Sequence, residues 1–255
     1  MIYAITLCFN RPDIIRDSLD AFYRTKNPST QIKHVLVDQH YPLPDKKSVH
    51  FQIYRMAQEF GCVYLNPGRN LGLHKGFNWA CKEMKMTADD IVIGYDGDSN
   101  PISPGWDMAL VTALSNPDIA WSSLMNPRSK KELLERGYDE ITVGGHLKVW
   151  ITKNAVVNSV CAWRYSFLQA SGGLQEPSEY YGHLESTMWQ YLIKQKKKWA
   201  FTPGWEENDY KRNQADWQFT HYKWCYAHLK SWTGDFDSYL AAGCPNPEGA
   251  PKHLP

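Results

Sequence analysis

Several features that would assign a class of protein at once are missing from this 255-residue chain. Lys and Arg total 28 and Asp and Glu total 27, so a net charge of +1 gives no overall attraction to nucleic acid or to an anionic membrane. No hydrophobic run approaches the length of a membrane-spanning helix. The amino terminus has no basic region, and it reaches the polar stretch 10–13 too soon for a secretory signal. We therefore expect a cytoplasmic protein without a membrane element.

Two kinds of cofactor fingerprint are also missing. The six cysteines are dispersed, with no Cys-x-x-Cys pair and no zinc-like spacing, which predicts reduced and mostly buried thiols. Neither the Gly-x-Gly-x-x-Gly motif of dehydrogenases nor a Gly-Lys-Ser/Thr phosphate loop occurs. With 43% hydrophobic and 22% charged residues, the chain can form one large core, or one core with a smaller appendage.

Aromatic residues are abundant instead. The chain has 15 Tyr and 11 Trp, and they crowd its carboxyl-terminal third, where Lys and Arg alternate with them between residues 194 and 232. Basic groups suit phosphates, and aromatic rings suit stacking on bases or on sugar faces. A solvated basic face over an aromatic core is the structural alternative. The pattern is therefore compatible with two interpretations, a surface that binds the acceptor and an aromatic core.

Strand and helix patterns alternate through the first hundred residues. Apolar runs at 2–8, 35–37, 62–65 and 91–95 predict strands, and apolar residues at helical spacing between them predict three helices. Repeated β-α units are typical of a Rossmann-like, mostly parallel sheet sandwiched by helices, with the loops after each strand gathered at one edge. The fold class predicted is therefore α/β, with an irregular, aromatic-rich carboxyl-terminal part.

The second half of the chain is less regular. Apolar spacing from Trp106 predicts a helix, residues 119–122 a strand, and residues 141–152 an extended stretch interrupted by two glycines. The charged segment 126–140 is interpreted as an exposed loop with one helical turn. The Pro- and Gly-rich end, residues 236–255, predicts an extended tail.

Two carboxylates, Asp96 and Asp98, follow the strand at 91–95 and are separated by one glycine. Ligands of open α/β sheets bind beyond the carboxyl ends of such strands. Carboxylates this close repel each other unless a cation or donors intervene, and Mg²⁺ or Mn²⁺ prefers oxygen ligands. The motif predicts a metal that bridges protein and phosphate, with a solvated turn as the alternative.

A glycine-rich segment, residues 66–78, follows one strand and opens a helix. Its glycines allow close backbone approach, and the amino terminus of a helix offers N–H groups to an anion. Arg69, His74 and Lys75 add donors. The segment predicts a phosphate-binding loop, and a plain connector is the alternative.

These segments together form an ordered set. In chain order they are Ile5-Thr6-Leu7-Cys8-Phe9-Asn10-Arg11, Val35-Leu36-Val37-Asp38, Asn70-x-Gly72-x-x-x-Gly76-x-Asn78, Asp96-Gly97-Asp98, Ala170-Ser171-Gly172-Gly173-Leu174-Gln175-Glu176 and Tyr181-Gly182-His183-Leu184-Glu185. The set resembles the nucleotide-sugar glycosyltransferases of the A-type fold, most closely family 2, over residues 2–195. It departs from the family at its end, where the usual acidic pair is replaced and Glu185 is the one carboxylate left.

The resemblance implies a role for each matching residue. Glu185 would be the general base of an inverting displacement at the anomeric carbon. Asp96 and Asp98 would bind Mn²⁺ or Mg²⁺, and His221 is the candidate third ligand, in competition with His183, His228 and water. Binding of the nucleoside-diphosphate sugar would fall to Thr6, Asn10, Arg11, Asp38, Asn70, Gly72, Lys75 and Asp96.

The function expected is a metal-dependent, inverting glycosyltransferase that moves a hexosyl or pentosyl group to a hydroxyl of a soluble acceptor, such as a glycan, a small molecule or modified DNA. Residues 1–100 would form the nucleotide-sugar half, residues 101–235 the acceptor and catalytic half of the same domain, and residues 236–255 the tail. Three alternatives stay open: a DNA-modifying transferase that acts on hydroxymethylated bases, as phage-encoded enzymes do, a nucleotidyltransferase, and a silent sugar-binding module. The oligomeric state is not predicted.

Overall fold

The computed structural model describes residues 1–8, 12–39, 47–69, 71–97, 99–101, 103–156, 158–174 and 184–206, with backbone alone at 47–49, 127–128, 184 and 203–206. The aromatic segment beyond residue 206 and the predicted tail at 236–255 lie outside these ranges. The elements are β1 (Ile2–Cys8), α1 (Pro12–Thr25), β2 (Ile32–Asp38), α2 (Lys47–Glu59), β3 (Val63–Leu65), α3 (Gly72–Glu83), β4 (Ile91–Tyr95), α4 (Trp106–Ala113), β5 (Ile119–Met125), α5 (Pro127–Arg136), β6 (Tyr138–Val143), β7 (Leu147–Thr152), β8 (Val160–Arg164), α6 (Tyr165–Ser171), α7 (Leu184–Lys194) and β9 (Lys198–Glu206).

The described strands form one sheet in the order β3-β2-β1-β4-β8-β5-β9-β7-β6. β8 runs antiparallel to its neighbours β4 and β5, and β7 runs antiparallel to its neighbours β9 and β6. The other described strands all run in one direction. The prediction of an α/β fold with a mostly parallel sheet is confirmed. The strands at 2–8 and 91–95 have the bounds that their apolar runs predict.

Helices cover both faces of the sheet. Alternate residues of a strand point to opposite faces, and β1 follows this rule: Ile5 packs with Phe77 of α3, whereas Ala4 packs with Phe22 of α1. Helices α1, α2 and α4 contribute to the cores on one face, and α3, α5, α6 and α7 to the core on the other. The sheet is therefore a buried middle layer, and its carboxyl-end edge is left for the loops.

The segment 126–140 differs from the prediction. It contains the ten-residue helix α5 and the start of β6, and not an exposed loop with one helical turn. The Asn126 side chain accepts from the Ser129 N–H, and the Ser129 hydroxyl in turn accepts from the Asn126 N–H. This capping box satisfies amide groups that would otherwise lack partners at a helix start. Lys130, Lys131, Glu135 and Arg136 are exposed on α5, while Leu133 is buried.

Two expectations from the sequence concern membrane-spanning helices and the state of the cysteines, and both can be compared with the described residues. None of the helices there is long and apolar enough to cross a bilayer. None of the four described cysteines forms a disulfide, and Cys8, Cys81 and Cys161 are buried.

Candidate active site

The carboxyl ends of three adjacent strands meet at one edge of the sheet. Asp38 ends β2 and is paired in register with Cys8, which ends β1. Asp96 follows the last residue of β4, which pairs with the other side of β1. A methyl group placed on Gly97 would lie 3.5 Å from the Thr6 Cγ2 atom, so the loop after β4 folds against β1. The strand ends that carry the predicted motifs are therefore neighbours.

Asp38 is buried beneath three polar side chains. Its Oδ2 atom accepts from the Tyr64 hydroxyl at 2.8 Å and from the Asn66 amide at 3.5 Å, and it contacts the Nδ1 atom of His50. Burial, and in addition the Asp38 carboxylate, raises the pKa of the Tyr64 hydroxyl, which therefore remains a donor. His50, Tyr64 and Asn66 border the solvent here, and Asp38 holds them in place.

The amino-terminal end of α3 is fixed to the residue after Asp38. The Gln39 N–H donates to the Cys8 carbonyl at 2.9 Å, and the Gln39 Oε1 atom accepts from the Leu71 N–H at 3.0 Å. Gly72 begins the helix with a φ of 75°, a backbone conformation that favours glycine. Lys75 lies exposed in the first turn. The amino terminus of α3 and a lysine are thus placed at the same edge as Asp38.

Thr6 is placed differently from the expectation that it lines the nucleotide pocket. Its side chain is 1% exposed, and its hydroxyl shares a 2.9 Å hydrogen bond with the Nε2 atom of His34. Burial lowers the pKa of His34 to about 3, so this histidine is neutral. Because the Thr6 hydroxyl faces the interior, it is not available to a bound nucleotide.

Asp96 and Glu185 are joined through one short segment. The Asp96 N–H donates to the Ser159 carbonyl at 3.3 Å, and the Asn158 amide donates to the Glu185 Oε1 atom at 3.3 Å. Asp96 is exposed, whereas Glu185 lies partly buried in the first turn of α7. Adjacent residues 158 and 159 therefore contact both of the acidic residues that the sequence assigns to metal and base.

A second long-range contact joins two of the sequence motifs. Asn78 of α3 donates to the Leu174 carbonyl at 3.0 Å and accepts from the Leu174 N–H at 2.8 Å. Gly173 has a φ of 92°, and a methyl group there would lie 2.6 Å from the Asn78 Oδ1 atom. The helix that begins at Gly72 is thus tied to the segment that leads toward Glu185.

Several predicted site residues lie outside the described ranges, namely Asn10, Arg11, Asn70, Asp98 and His221, together with His183 and His228. Within the ranges that the structure describes, no group of three or more His, Cys, Asp or Glu side chains is arranged to hold a metal ion. The exposed Asp96 carboxylate is the described member of the predicted ligand set. Its hard oxygen atoms fit Mn²⁺ or Mg²⁺.

Three polar residues at this edge have no local signal in the sequence: His50, Tyr64 and Asn158. Each is defined by a partner far along the chain, as Asn158 is by Glu185, 27 residues later. His50 lies on a helix and Tyr64 in a short strand, where the pattern of apolar residues marks neither of them. Pairing of these elements in space is what identifies them.

No protein-family model matches the chain, and no curated protein sequence matches it significantly. Solved structures do. The mannosyltransferase PcManGT from Pyrobaculum calidifontis, in complex with GDP-Man and Mn²⁺, is similar with a TM-score of 0.66 at 13% identity, over 98% of this chain and 67% of that one. GalNAc-T7 with UDP, GalNAc and Mn²⁺ gives a TM-score of 0.61 at 8% identity, over 100% and 56%. Residues 1–349 of S. aureus TarS give 0.53 at 14% identity, over 80% and 58%.

These similarities identify the fold. The chain has the A-type glycosyltransferase fold, and the resemblance predicted from its motifs is confirmed at that level. The matched part of this chain spans between 56% and 67% of the length of the three chains just described.

Proposed function

We propose that this protein is a metal-dependent glycosyltransferase that moves a sugar from a nucleoside-diphosphate donor to a hydroxyl acceptor. The observation that carries the proposal is the convergence of Asp38, the amino terminus of α3, Asp96 and Glu185 on one sheet edge. The fold supports it, because the similar structures are glycosyltransferases that were solved with GDP-Man or with UDP.

The donor half of the site is the edge formed by β2 and α3. His50, Tyr64 and Asn66, held by Asp38, provide donors and acceptors for a base or ribose. Gly72 and the exposed Lys75 lie at the amino terminus of α3, where backbone N–H groups and a cation favour a diphosphate. Asn70, Asn10 and Arg11 remain assigned to this half from the sequence.

The metal half of the site is the loop after β4. Asp96 and Asp98 would hold Mn²⁺ or Mg²⁺, and His221 stays the candidate third ligand. When bound, such an ion neutralises the negative charge that develops on the leaving diphosphate. Asp96 is suited to this role because it is exposed at the end of a buried strand and its backbone is anchored to Ser159.

Glu185 is the proposed general base. Its carboxylate takes the proton of the acceptor hydroxyl while that oxygen bonds to the anomeric carbon and the bond from that carbon to the diphosphate breaks. A single displacement of this kind inverts the anomeric configuration. General-base assistance typically contributes about 10²–10⁴-fold in rate.

The test of the proposal combines donor binding with donor hydrolysis. UDP- and GDP-sugars are added with and without Mn²⁺, and thermal shift and release of nucleoside diphosphate are followed. We expect one donor to raise the melting temperature only with Mn²⁺. Asp96→Ala should abolish that shift and lower hydrolysis about 100-fold, since an electrostatic contact to the developing charge is lost.

The matched control is Asp89→Ala, which removes another exposed aspartate, near the opposite end of β4. It should leave both measurements unchanged. If no donor gives an Mn²⁺-dependent response in the unaltered protein, or if Asp96→Ala behaves like Asp89→Ala, the proposal is wrong.

Once a donor is identified, glycans, small alcohols and hydroxymethylated DNA are compared as acceptors. Transfer to DNA is expected to weaken steeply as the salt concentration rises.

A further inference from the structure

A chain of hydrogen bonds runs from the core of the protein to the Glu185 carboxylate. The Trp199 indole N–H donates to the Ser123 hydroxyl oxygen at 2.8 Å. The Ser123 hydroxyl donates to the Asn158 Oδ1 atom at 3.1 Å, and the Asn158 amide donates to the Glu185 Oε1 atom at 3.3 Å. Three consecutive contacts thus connect β9, β5 and α7.

The direction of this chain is determined at its Glu185 end. An ionised carboxylate can only accept, so the Asn158 NH₂ group must face Glu185 and the Asn158 oxygen must face Ser123. The Ser123 hydroxyl donates to that oxygen and accepts from the Trp199 indole, which can only donate. An inverted amide would place the Asn158 oxygen against the Glu185 carboxylate.

The buried end is rigid. Trp199 and Ser123 are both fully buried, and the Trp199 ring stacks on Trp121 with centroids 3.8 Å apart and an interplanar angle of 6°. The backbone next to Asn158 is anchored as well, because the carbonyl of Ser159 accepts from the Asp96 N–H. Asn158 therefore cannot shift without disturbing either the core or the loop that carries Asp96.

We propose that Asn158 is a positioning residue for the reaction. It presents an N–H donor to one oxygen of Glu185 and so fixes the direction in which the carboxylate faces the acceptor hydroxyl. Ser123, which accepts from Trp199, donates to its amide oxygen and holds the side chain in place. The inference rests on the proposed function, in which Glu185 is the general base. A base held in one geometry does not have to be ordered at the moment of reaction, and small misplacement of such a group can cost about 100-fold in rate.

Asn158→Asp is the sharpest test, because it keeps the shape of the side chain and an oxygen toward Ser123. It replaces the donor with an oxygen that repels Glu185. We expect kcat for transfer to fall about 10- to 100-fold, with the donor KM changed by less than about twofold, because donor contacts lie elsewhere. Calorimetric donor binding gives the fraction of active sites, so that kcat refers to folded protein alone.

Ser123→Ala and Ser122→Ala form a matched pair on β5. Both serines are fully buried, but within the described part of the chain the Ser122 hydroxyl has no hydrogen-bond partner. Ser123→Ala releases the orientation of Asn158, and we expect kcat to fall about 3- to 10-fold with an unchanged donor KM. Ser122→Ala should retain the unaltered kcat. This pair decides the question even if Asn158→Asp does not fold.

The outcomes separate the two proposals. Glu185→Gln is measured alongside and should lose transfer while it still binds donor. If Glu185→Gln is inactive but Asn158→Asp or Ser123→Ala keeps the kcat of the unaltered protein, the role of Asn158 is overturned and the proposed function stands. If Glu185→Gln transfers at the normal rate, Glu185 is not the base and both assignments fall.

Discussion

Burial decides which polar side chain at the strand ends can meet a ligand. Thr6 lies within the apolar run of β1 and Asp38 follows that of β2, and both are buried in the folded chain. The Thr6 hydroxyl is engaged by His34, and the Asp38 carboxylate is covered by residues from α2, from β3 and from the loop after β3. Asp96, in contrast, is exposed. Residue type alone does not separate these cases.

His34 predicts a dependence of stability on pH. The unfolded histidine has a pKa near 6.5 and the folded one near 3, so between these values the unfolded chain binds more protons and stability falls as pH falls. The contribution of neutral His34 to the free energy of unfolding is complete above about pH 6.5. It is lost as the pH falls toward 3, by up to about 1.4 kcal/mol per pH unit. Urea unfolding at pH 7 and pH 5 should show the unaltered protein losing about 2 kcal/mol more than His34→Gln.

The control for this prediction is His146→Gln, because His146 is exposed in the turn between β6 and β7. Its removal should leave the difference between pH 7 and pH 5 as it is in the unaltered protein. Equal losses in His34→Gln and in the unaltered protein would show that His34 is not held neutral.

At the scale of elements, the position of α3 depends on one close approach. A methyl group on Gly76 would lie 2.4 Å from the Gln39 Oε1 atom, which is too short for any real contact. The same oxygen accepts from the Leu71 N–H just before the helix. Gly76 therefore allows Gln39 to fix the amino terminus of α3.

Gly76→Ala should destabilise the protein by about 1–3 kcal/mol, because overpacking displaces Gln39. In a Gln39→Ala background the clash is absent, and the same change should stabilise by up to about 1 kcal/mol through helix propensity. Urea unfolding of the two single variants and the double variant measures this reversal of sign. A cost that is equal in both backgrounds would locate the strain elsewhere in α3.

Prediction from sequence succeeded where a signal is local. Apolar runs predict β1, β2 and β4, and apolar residues at helical spacing predict α1, so the edge that carries Asp38 and Asp96 follows from repeated β-α units. For helix α5, Asn126 and Ser129 form a local capping signal, but the high charge of the segment 126–140 predicts a loop instead. Asn158 could not be found, since its partners are 35 residues before it and 27 after it.

At the scale of the whole molecule, Trp163 of β8 joins the two parts of the sheet. Its ring lies 5.6 Å from Phe77 of α3 and 5.5 Å from Trp121 of β5, measured between centroids. β8 itself pairs with β4 on one side and with β5 on the other. The strands with the proposed donor site and those that support Glu185 thus share one core, and we expect them to unfold together.

Gly94 offers the test of that cooperativity, because a methyl group there would lie 2.9 Å from the Trp163 ring. Gly94→Ala must displace a large, enclosed ring, and we expect it to lower the free energy of unfolding by about 1–3 kcal/mol. Tryptophan fluorescence and far-ultraviolet circular dichroism should still report one coincident transition. Gly97→Ala is the matched control, since its new methyl group would meet neighbours no closer than 3.4 Å, and it should be close to neutral. Two separate transitions in Gly94→Ala would show that the parts on either side of Trp163 fold independently.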